Sequence, residues 1–341
     1  MSNPVTQYRA RQSRRAWAVG GALLLALTVT AAWRITLGEW AIPLPRVIYL
    51  LSPWLSGTER TSAEALVVRS VRLPRLLSAV GAGGLLSVAG AVLQGLLSNP
   101  LAEPYTLGIA AGAAFGGALG LLFSSLMVTP AAFAGALTAL AIVSLIAWRS
   151  GGTVRGGGAQ LVLAGVVANA VLSAGVTFLK AIADDKLGAI VLWLMGSLSG
   201  AGMSSAAAVW GASLLVLVPA LACAPLLDAL SLGEGQGALL GVDEGRVRTL
   251  LLLTTSLGIA AVVSAFGIIG FVGLVVPHLL RMSVGPSHRT LLPLSFLAGG
   301  CLLSVADGVA QSMGELPVGV LTALIGGPFF CWLLVRRGGR K

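Results

Sequence analysis

Long runs of apolar residues are the feature of this 341-residue sequence that most limits what it can fold into. A helix needs about 20 mostly apolar residues to cross the hydrocarbon core of a bilayer. Ten such runs follow one another, and the region 248–284 is the hardest to divide. The runs cover residues 16–33, 76–97, 105–126, 129–148, 159–181, 205–224, 248–266, 268–284, 290–306 and 317–335. The sequence therefore predicts an all-α polytopic membrane protein, with about ten transmembrane helices in one unit that covers residues 1–341.

The composition argues against a soluble domain. Charged residues make up 10% of the chain and hydrophobic residues 56%, whereas an ordinary soluble domain carries about 25% charged residues. The net charge of +10 does not indicate nucleic-acid binding, because the basic residues occur in short clusters between apolar runs. Cys223, Cys301 and Cys331 lie far apart, in or beside apolar segments. This placement is typical of packing residues rather than of a disulfide framework or a metal site.

The lysine and arginine residues in the connections predict the orientation. With the N-terminus inside and ten crossings, fourteen basic residues fall on the cytoplasmic side and eight on the outer side. This bias predicts that both termini lie in the cytoplasm. Residues 1–15 are then a basic cytoplasmic tail before an uncleaved first helix, because no small-residue cleavage site follows the first apolar run.

Two polar connections stand out in this arrangement. Six of the eight outer basic residues fall in the external segment 34–75. Such a cluster can meet an acidic partner, or a long external loop can simply tolerate the charge; the charge pattern leaves both open. On the inner side, residues 232–242 within the segment 225–247 are amphipathic and too short to span. They predict either a short helix that docks another protein or an ordinary interfacial loop.

Motifs for enzymatic chemistry are missing from the sequence. There is no G-x-x-x-x-G-K-[ST] phosphate loop for ATP. The two histidines, His278 and His288, lack metal-ligand spacing with another histidine or cysteine. No Ser, His and Asp set suggests acyl transfer. A membrane enzyme is therefore disfavoured, and no metal site is expected.

The predicted spans carry almost no charge, which bears on how transport would be driven. Lys180, Asp307 and Glu315 all fall near predicted outer ends. Snorkelling or a helix-end hydrogen bond explains these residues at least as well as an ion pathway. The sequence thus predicts a pathway without its own motor or coupling ion. A partner then supplies the energy, or the protein is a passive channel. The alternative to a partner-driven transporter is an ion-coupled carrier or such a channel.

Four blocks of the sequence form a more specific pattern. They read RLPRLLSAVGAGGLLSVAGAVLQGLLSNPLAEPYTLGIAAGAAFG at 72–116, LGEGQGALLGV at 232–242, GIIGFVGLVVPHLLRMSVGPSHRTLLPLSFLAGG at 267–300, and ADGVAQSMGELPVGVLTALIGGPFF at 306–330. In their order and spacing these blocks resemble the FecCD-type permeases. Those proteins are the membrane subunits of bacterial importers for ferric siderophores, haem and vitamin B12. The likeness runs over essentially the whole chain.

The resemblance implies a particular assembly. It implies the type II ABC importer permease fold and a homodimer in the bacterial inner membrane, surrounded by lipid. Two cytoplasmic ATP-binding-cassette subunits and one periplasmic substrate-binding protein would complete the importer. ATP and magnesium would bind to the ATPase, so no cofactor is expected in this chain. The implied cargo is a metal chelate, with ferric siderophores and haem ahead of cobalamin.

The resemblance also implies roles for individual residues. Arg72 and Arg75 match arginines that form salt bridges with glutamates of the binding protein, a task that suits the planar guanidinium group. The family usually has a further arginine where this chain has Gln311, and Arg69 is a candidate to compensate.

The implied gate and coupling residues lie on the cytoplasmic side. Asn99 and Leu101 would contribute to the gate, opposite Gly158, Ala159 and Gln160, where family members often carry hydroxyl residues. The residues implied to couple the permease to the ATPase are Leu232, Gly233, Glu234, Ala238, Leu240 and Gly241.

Overall fold

The computed structural model describes residues 4–52, 61–149, 158–231 and 243–338. The regular secondary structure in these residues is helical. The α-helices in chain order are α1 (Pro4–Thr36), α2 (Leu44–Leu51), α3 (Ala63–Leu66), α4 (Leu73–Leu96), α5 (Ile109–Phe123), α6 (Val128–Arg149), α7 (Gly158–Ala181), α8 (Leu187–Leu194), α9 (Met203–Ala222), α10 (Ala224–Leu230), α11 (Glu244–Phe266), α12 (Val272–Val284), α13 (His288–Ser312) and α14 (Val318–Gly338). A π-helical turn, Val67–Arg72, joins α3 to α4, and 3-10 turns at Ser125–Met127 and Asp184–Lys186 precede α6 and α8.

Ten apolar helical segments of this fold match the ten predicted runs. Among the residues that the structure describes, seven of these helices are long enough to cross a membrane, and three are shorter: Ile109–Phe123, Val272–Val284 and Val318–Cys331. The region 248–284 divides into two helices at residues 267–271. Gly267, which follows α11, has a φ of 74°, and Phe271, which precedes α12, has a φ of 66°. The prediction of an all-α polytopic fold is confirmed. An even number of crossings places both ends of the chain on one side, and the assignment of that side to the cytoplasm stays a prediction.

Two segment boundaries differ from the sequence-based prediction. Helix α1 begins at Pro4, so most of the basic tail predicted at residues 1–15 is continuous with the first membrane helix. Proline suits the first helical position, and the alanine, arginine and glutamine residues that follow favour helix. On the predicted outer side, the second crossing helix begins at Ala63 rather than near residue 76. Most of the described residues of the external segment 34–75 are therefore helical.

Helix α4 lies at the centre of the bundle, where it packs against α9, α11, α12 and α13. In the most apolar window of the continuous helix Ala63–Leu96, 94% of the residues are buried. Glycines permit this close packing: a Cβ at Gly83 would collide with the carbonyl oxygen of Gly299 on α13, and one at Gly90 with that of Gly273 on α12. Small residues at helix crossings let backbones approach in a lipid environment, where apolar burial between helices gives little driving force.

Helices α1 and α7 lie at the periphery of the chain. Only 6% of the apolar window of α1 and 28% of that of α7 are buried. Large apolar side chains such as Leu25 on α1, and Val171 and Phe178 on α7, are more than half exposed. Exposed apolar surface of this extent requires lipid or another protein chain to cover it.

An irregular stretch, residues 97–108, joins α4 to α5 and reaches into the bundle. Pro104 lies against α12, where a Cβ at Gly273 would be 2.6 Å from its Cδ. Backbone groups within the stretch are paired, as where Thr106 N donates to Glu103 O at 3.1 Å. Irregular backbone at membrane depth is tolerated only when it is buried in protein or lines a cavity. Because this stretch already carries the chain part of the way across the bundle, α5 completes the crossing with only 15 residues.

Candidate functional site

A cluster of buried charges joins α1, α4 and α13 at the predicted outer face. Asp307 on α13 has a side chain that is only 1% exposed. Its carboxylate accepts from Arg75 on α4, with Nε to Oδ2 at 2.9 Å and Nη2 to Oδ1 at 3.0 Å. Arg34 on α1 also donates to Asp307 and to the side-chain oxygen of Gln311. Two guanidinium groups thus share one buried carboxylate, so that each of these buried charges has an oppositely charged partner.

Glu315 completes the cluster from the loop between α13 and α14. The Nη1 of Arg75 donates to its Oε1 at 2.8 Å, and Nη2 lies 2.8 Å from Oε2. Unlike Asp307, the Glu315 side chain is 47% exposed. Gly314 and Glu315 have φ angles of 84° and 59°, a left-handed turn that presents the carboxylate to Arg75. Arg75 therefore holds one buried and one half-exposed carboxylate.

The other two predicted docking arginines cover helix ends. Arg72 donates to the carbonyl oxygens of Ile35 and Thr36 at 3.1 and 3.0 Å, and to that of Trp40, at the end of α1. The side chain of Arg69 donates to Leu50 O at 2.7 Å and to Ser52 O at 2.9 Å, at the end of α2 (Leu44–Leu51). The last carbonyls of a helix have no partner within it, and a cation there also offsets the helix dipole.

Two of the four predicted docking residues, Arg72 and Gln311, nevertheless share one surface. A cavity of about 780 Å³ lies between the end of α1, the π-helical turn and the end of α13. Arg72, Gln311 and Glu315 all line it. Docking by Arg69, Arg72, Arg75 and Gln311 stays a prediction, since each already has a partner within the chain.

On the opposite face, the irregular stretch 97–108 contacts the short helix α10. Ser98 has a φ of 47°, and its Oγ donates to Leu230 O at 2.9 Å, at the last residue of α10. The side-chain oxygen of Asn99 accepts from Leu101 N at 2.9 Å, which closes a local turn. The side chain of Leu101 is 43% exposed.

The second half of the predicted gate begins helix α7. Gly158 and Ala159 form its first turn, and their side-chain environment lies outside what the structure describes. Leu161, in the next turn, lines a small cleft together with Leu97 from the end of α4 and Arg248 from α11. The end of α4 and the starts of α7 and α11 therefore approach one another. The gating role of Asn99, Leu101, Gly158 and Ala159 stays a prediction.

Helix α10 is anchored to the start of α13 by one carboxylate. Asp228 accepts from His288 N at 2.7 Å, lies 2.6 Å from His288 Nδ1, and is 3.3 Å from Ser287 Oγ. Burial tends to raise the pKa of this carboxyl, but the hydrogen bonds from His288 and Ser287 outweigh burial and hold the pKa of Asp228 below its ordinary value. The chain continues from α10 into residues 232–242. The predicted coupling residues Leu232, Gly233, Glu234, Ala238, Leu240 and Gly241 thus lie outside the described residues.

Helix α7 carries a row of polar side chains beside a cavity of about 390 Å³. Asn169, Ser173, Thr177 and Lys180 recur every three or four residues, so they lie on one face of the helix. The Nδ2 of Asn169 donates to Tyr105 O at 3.2 Å, which ties the row to the irregular stretch. Small residues from α5 line the other wall.

The sequence offered only partial signals for these arrangements. Asp307 and Glu315 attracted attention as ionisable residues near the outer ends of spans, but their partners were not predicted. Arg34 was counted only as an external basic residue. A buried charge in an apolar run requires a partner of opposite charge. This rule was the available signal that Asp307 pairs with basic residues such as Arg34. Among the described residues, no three His, Cys, Asp or Glu side chains come together in a way that could hold a metal ion.

In the part of the chain that the structure describes, ten apolar helical segments, one of them the buried central helix, together with an irregular stretch inside the bundle define a polytopic membrane protein. The chain belongs to the FecCD transport family, which matches residues 23–336. It is 39% identical to the cobalamin import system permease protein of Halobacterium salinarum, over 93% of this chain and 88% of that protein. It is 37% identical to the hemin transport system permease protein of Yersinia pestis, over 93% of this chain and 95% of that protein.

A solved structure supports the same assignment. An inward-facing conformation of a metal-chelate type ABC transporter matches with a TM-score of 0.80 and 33% sequence identity, over 94% of this chain and 99% of that chain. The resemblance carried by the four sequence blocks is confirmed. The protein is a multi-pass permease subunit of an ABC importer with the type II importer fold.

Proposed function

We propose that this chain forms the transmembrane pathway of an ATP-driven importer that moves a metal chelate from the periplasm to the cytoplasm. The cargo class is haem, a ferric siderophore or cobalamin. The pathway is formed by two copies of the chain in a bacterial inner membrane. Two ATPase subunits on the inner face bind ATP and magnesium, and a periplasmic binding protein delivers the cargo. This chain supplies no catalytic residue.

The polar row on α7 is the observation that carries this proposal. Asn169, Ser173, Thr177 and Lys180 place hydrogen-bonding groups and one positive charge along a cavity within an otherwise apolar helix. Polar groups are costly in hydrocarbon and mark pathways when they line cavities. Elsewhere α7 exposes apolar side chains such as Val171. A second copy packed against α7 would close the cavity into a channel, and an oxygen-rich chelate would find donors along it.

The inner stretch 97–108 supports a mechanical link between this pathway and an ATPase. Asn169 of the polar row holds Tyr105 in the stretch. At its other end, Ser98 contacts Leu230 at the end of α10. Helix α10 leads into residues 232–242, the segment proposed to dock the ATPase. Movement of α10 would thus be transmitted to the stretch beside the pathway through direct contacts.

Reconstitution tests the proposal. The tagged full-length chain is extracted gently from native membranes, and its companions are identified by mass spectrometry. We expect a phosphate-loop ATPase at one copy per permease. In liposomes, uptake of chelates by the complex should require ATP and stop when the ATPase phosphate-loop lysine is replaced.

The alternative is an ion-coupled carrier or a passive channel. A chain that purifies alone and moves chelate in liposomes without ATP would overturn the importer proposal. An imposed proton or sodium gradient then separates the two alternatives, because only a carrier would concentrate cargo in response to it.

A further inference from the structure

A cavity of about 290 Å³ lies between the first turns of α1 and the end of α12. We propose that it binds the phosphate of an anionic phospholipid headgroup. The residues that carry this inference are Arg11 and Arg15 on α1 and Arg281 on α12. The site is separate from the pathway and from the outer charge cluster.

The cavity carries the positive charge that is expected of an anion-binding site. Three arginines from two helices line it, together with Gln12 and Ser283, and none of the described lining residues is acidic. Arg11 and Arg15 are four residues apart, so they project from the same face of α1 and repel each other. In the part of the chain that the structure describes, neither has a hydrogen bond or ion pair with a protein group. An anion between them would offset this repulsion, and guanidinium groups bind phosphate in a bidentate manner.

A carboxylate from within the protein does not already neutralise the cavity. Asp228 attracts Arg281 electrostatically. Its oxygens, however, are held by Ser287 and His288 at 2.6 to 3.3 Å. Arg281 itself donates to the carbonyl oxygen of Ala91 at 3.3 Å and to the side chain of Gln94, both neutral acceptors on α4. The net charge of the cavity therefore stays positive.

The position of the cavity favours a lipid over a soluble anion. The side chain of Trp17, two residues beyond Arg15, is 81% exposed. Exposed tryptophans prefer the headgroup level of a bilayer. Met282, which lines the cavity, is 69% exposed, so an apolar side chain lies next to the arginines. Basic pockets between transmembrane helices on the cytoplasmic side are suited to anionic headgroups.

The test measures lipid binding to the full-length chain in detergent, with whatever subunits it retains. Detergent removes the general attraction of a charged leaflet, so that binding reports the cavity. Native mass spectrometry would follow titration with dioleoylphosphatidylglycerol and, separately, dioleoylphosphatidylcholine. We expect the double variant R11Q/R15Q to bind phosphatidylglycerol about thirtyfold more weakly, given the contribution of each arginine near an anionic lipid. Phosphatidylcholine binding should not change.

The matched control is R14Q/R149Q. Both of these arginines are exposed at the same face, and neither lines the cavity. The control loses the same charge and should keep its phosphatidylglycerol affinity within about twofold. The variant R11K/R15K, which keeps the charge, should retain more lipid than R11Q/R15Q. An unchanged unfolding temperature of R11Q/R15Q would show that its lipid loss does not come from a folding defect.

Three results would overturn the proposal. The first is equal lipid loss in R11Q/R15Q and R14Q/R149Q. The second is displacement of phosphatidylglycerol by an equal concentration of inorganic phosphate, which would identify a soluble anion as the ligand. The third is release of a cytoplasmic subunit from R11Q/R15Q with unchanged lipid binding, which would mean that the arginines contact a protein.

Discussion

The Nε of Arg75 donates to Oδ2 of Asp307 at 2.9 Å, at a point where the two side chains are only 6% and 1% exposed. This pair joins α4 to α13 at one end of the bundle. Arg34 reaches the same carboxylate from α1. Three transmembrane helices are thus connected by a single aspartate. The cluster therefore has a structural role in holding these helices together.

Replacement of Asp307 by asparagine should strongly destabilise the protein. The variant would leave two buried guanidinium groups without their shared counter-ion, and breaking a buried pair in this way costs about 3–5 kcal/mol. Thermal unfolding of the detergent-solubilised protein measures the effect. The control is Glu64→Gln, which removes the partly exposed partner of Arg46 and should cost less than about 1 kcal/mol. Similar losses in both variants would contradict the structural role of Asp307.

Replacement of Glu315 by glutamine should strengthen docking of the binding protein. If Arg75 receives a carboxylate of that partner, as the family resemblance implies, Glu315 competes with that carboxylate for the same guanidinium group. We expect a several-fold gain in affinity, about 1 kcal/mol, measured by calorimetry with the purified binding protein. The control Glu39→Gln removes an equal charge from the same cavity without releasing Arg75. An equal gain in both variants would point to general electrostatics, and no gain would count against docking through Arg75.

Replacement of Asp228 by asparagine should change how the stability of the protein falls at acidic pH. Because the pKa of Asp228 is lowered in the folded protein, its stabilising effect is present above the unfolded aspartate pKa, near 4. The effect is lost as the pH falls through the lower, folded value. We therefore expect a steeper loss of stability below about pH 4 in the native protein than in Asp228→Asn. Unfolding temperatures measured from pH 7 to pH 3 test this, and parallel curves would refute it.

Replacement of Gly83 by alanine should disrupt the crossing of α4 and α13. A Cβ at this position meets the backbone of Gly299, which cannot move aside as a side chain can. We expect a loss of about 3 kcal/mol and reduced accumulation in membranes. At Gly21 on α1, a Cβ meets no described atom within 4 Å. Gly21→Ala should therefore be neutral or stabilise by about 0.5–1 kcal/mol, and equal losses in both variants would argue against this crossing.

Several features of the fold were accessible from the sequence. The ten crossings followed from the lengths of the apolar runs, and the break near Gly267 and Phe271 fell within the region that was hardest to divide. The length of α1 was underestimated, because basic residues that cannot lie in hydrocarbon can still extend a helix beyond it. The helical character of the described part of the external segment 34–75 was likewise not apparent from its charge.

The candidate sites were less accessible. Arg72 and Arg75 were identified through the family resemblance, but Arg72 covers the end of α1 and Arg75 pairs with Asp307 within the chain. Their availability to a binding protein stays a prediction. The proximity of Arg281 to Arg11 and Arg15 was also hidden, because Arg281 lies about 270 positions further along the sequence and shares no local pattern with them.

The sequence by itself determined that the chain is an all-α membrane protein with ten apolar segments, and its motifs identified the family. The physical reason is that the partition of a helix into lipid depends on the residues of that helix alone. Only the tertiary structure decided which charges meet. The pair formed by Arg75 and Asp307 exists because glycines such as Gly83 and Gly299 let α4 and α13 approach closely. That approach depends on how distant segments pack together, which no local stretch of sequence specifies.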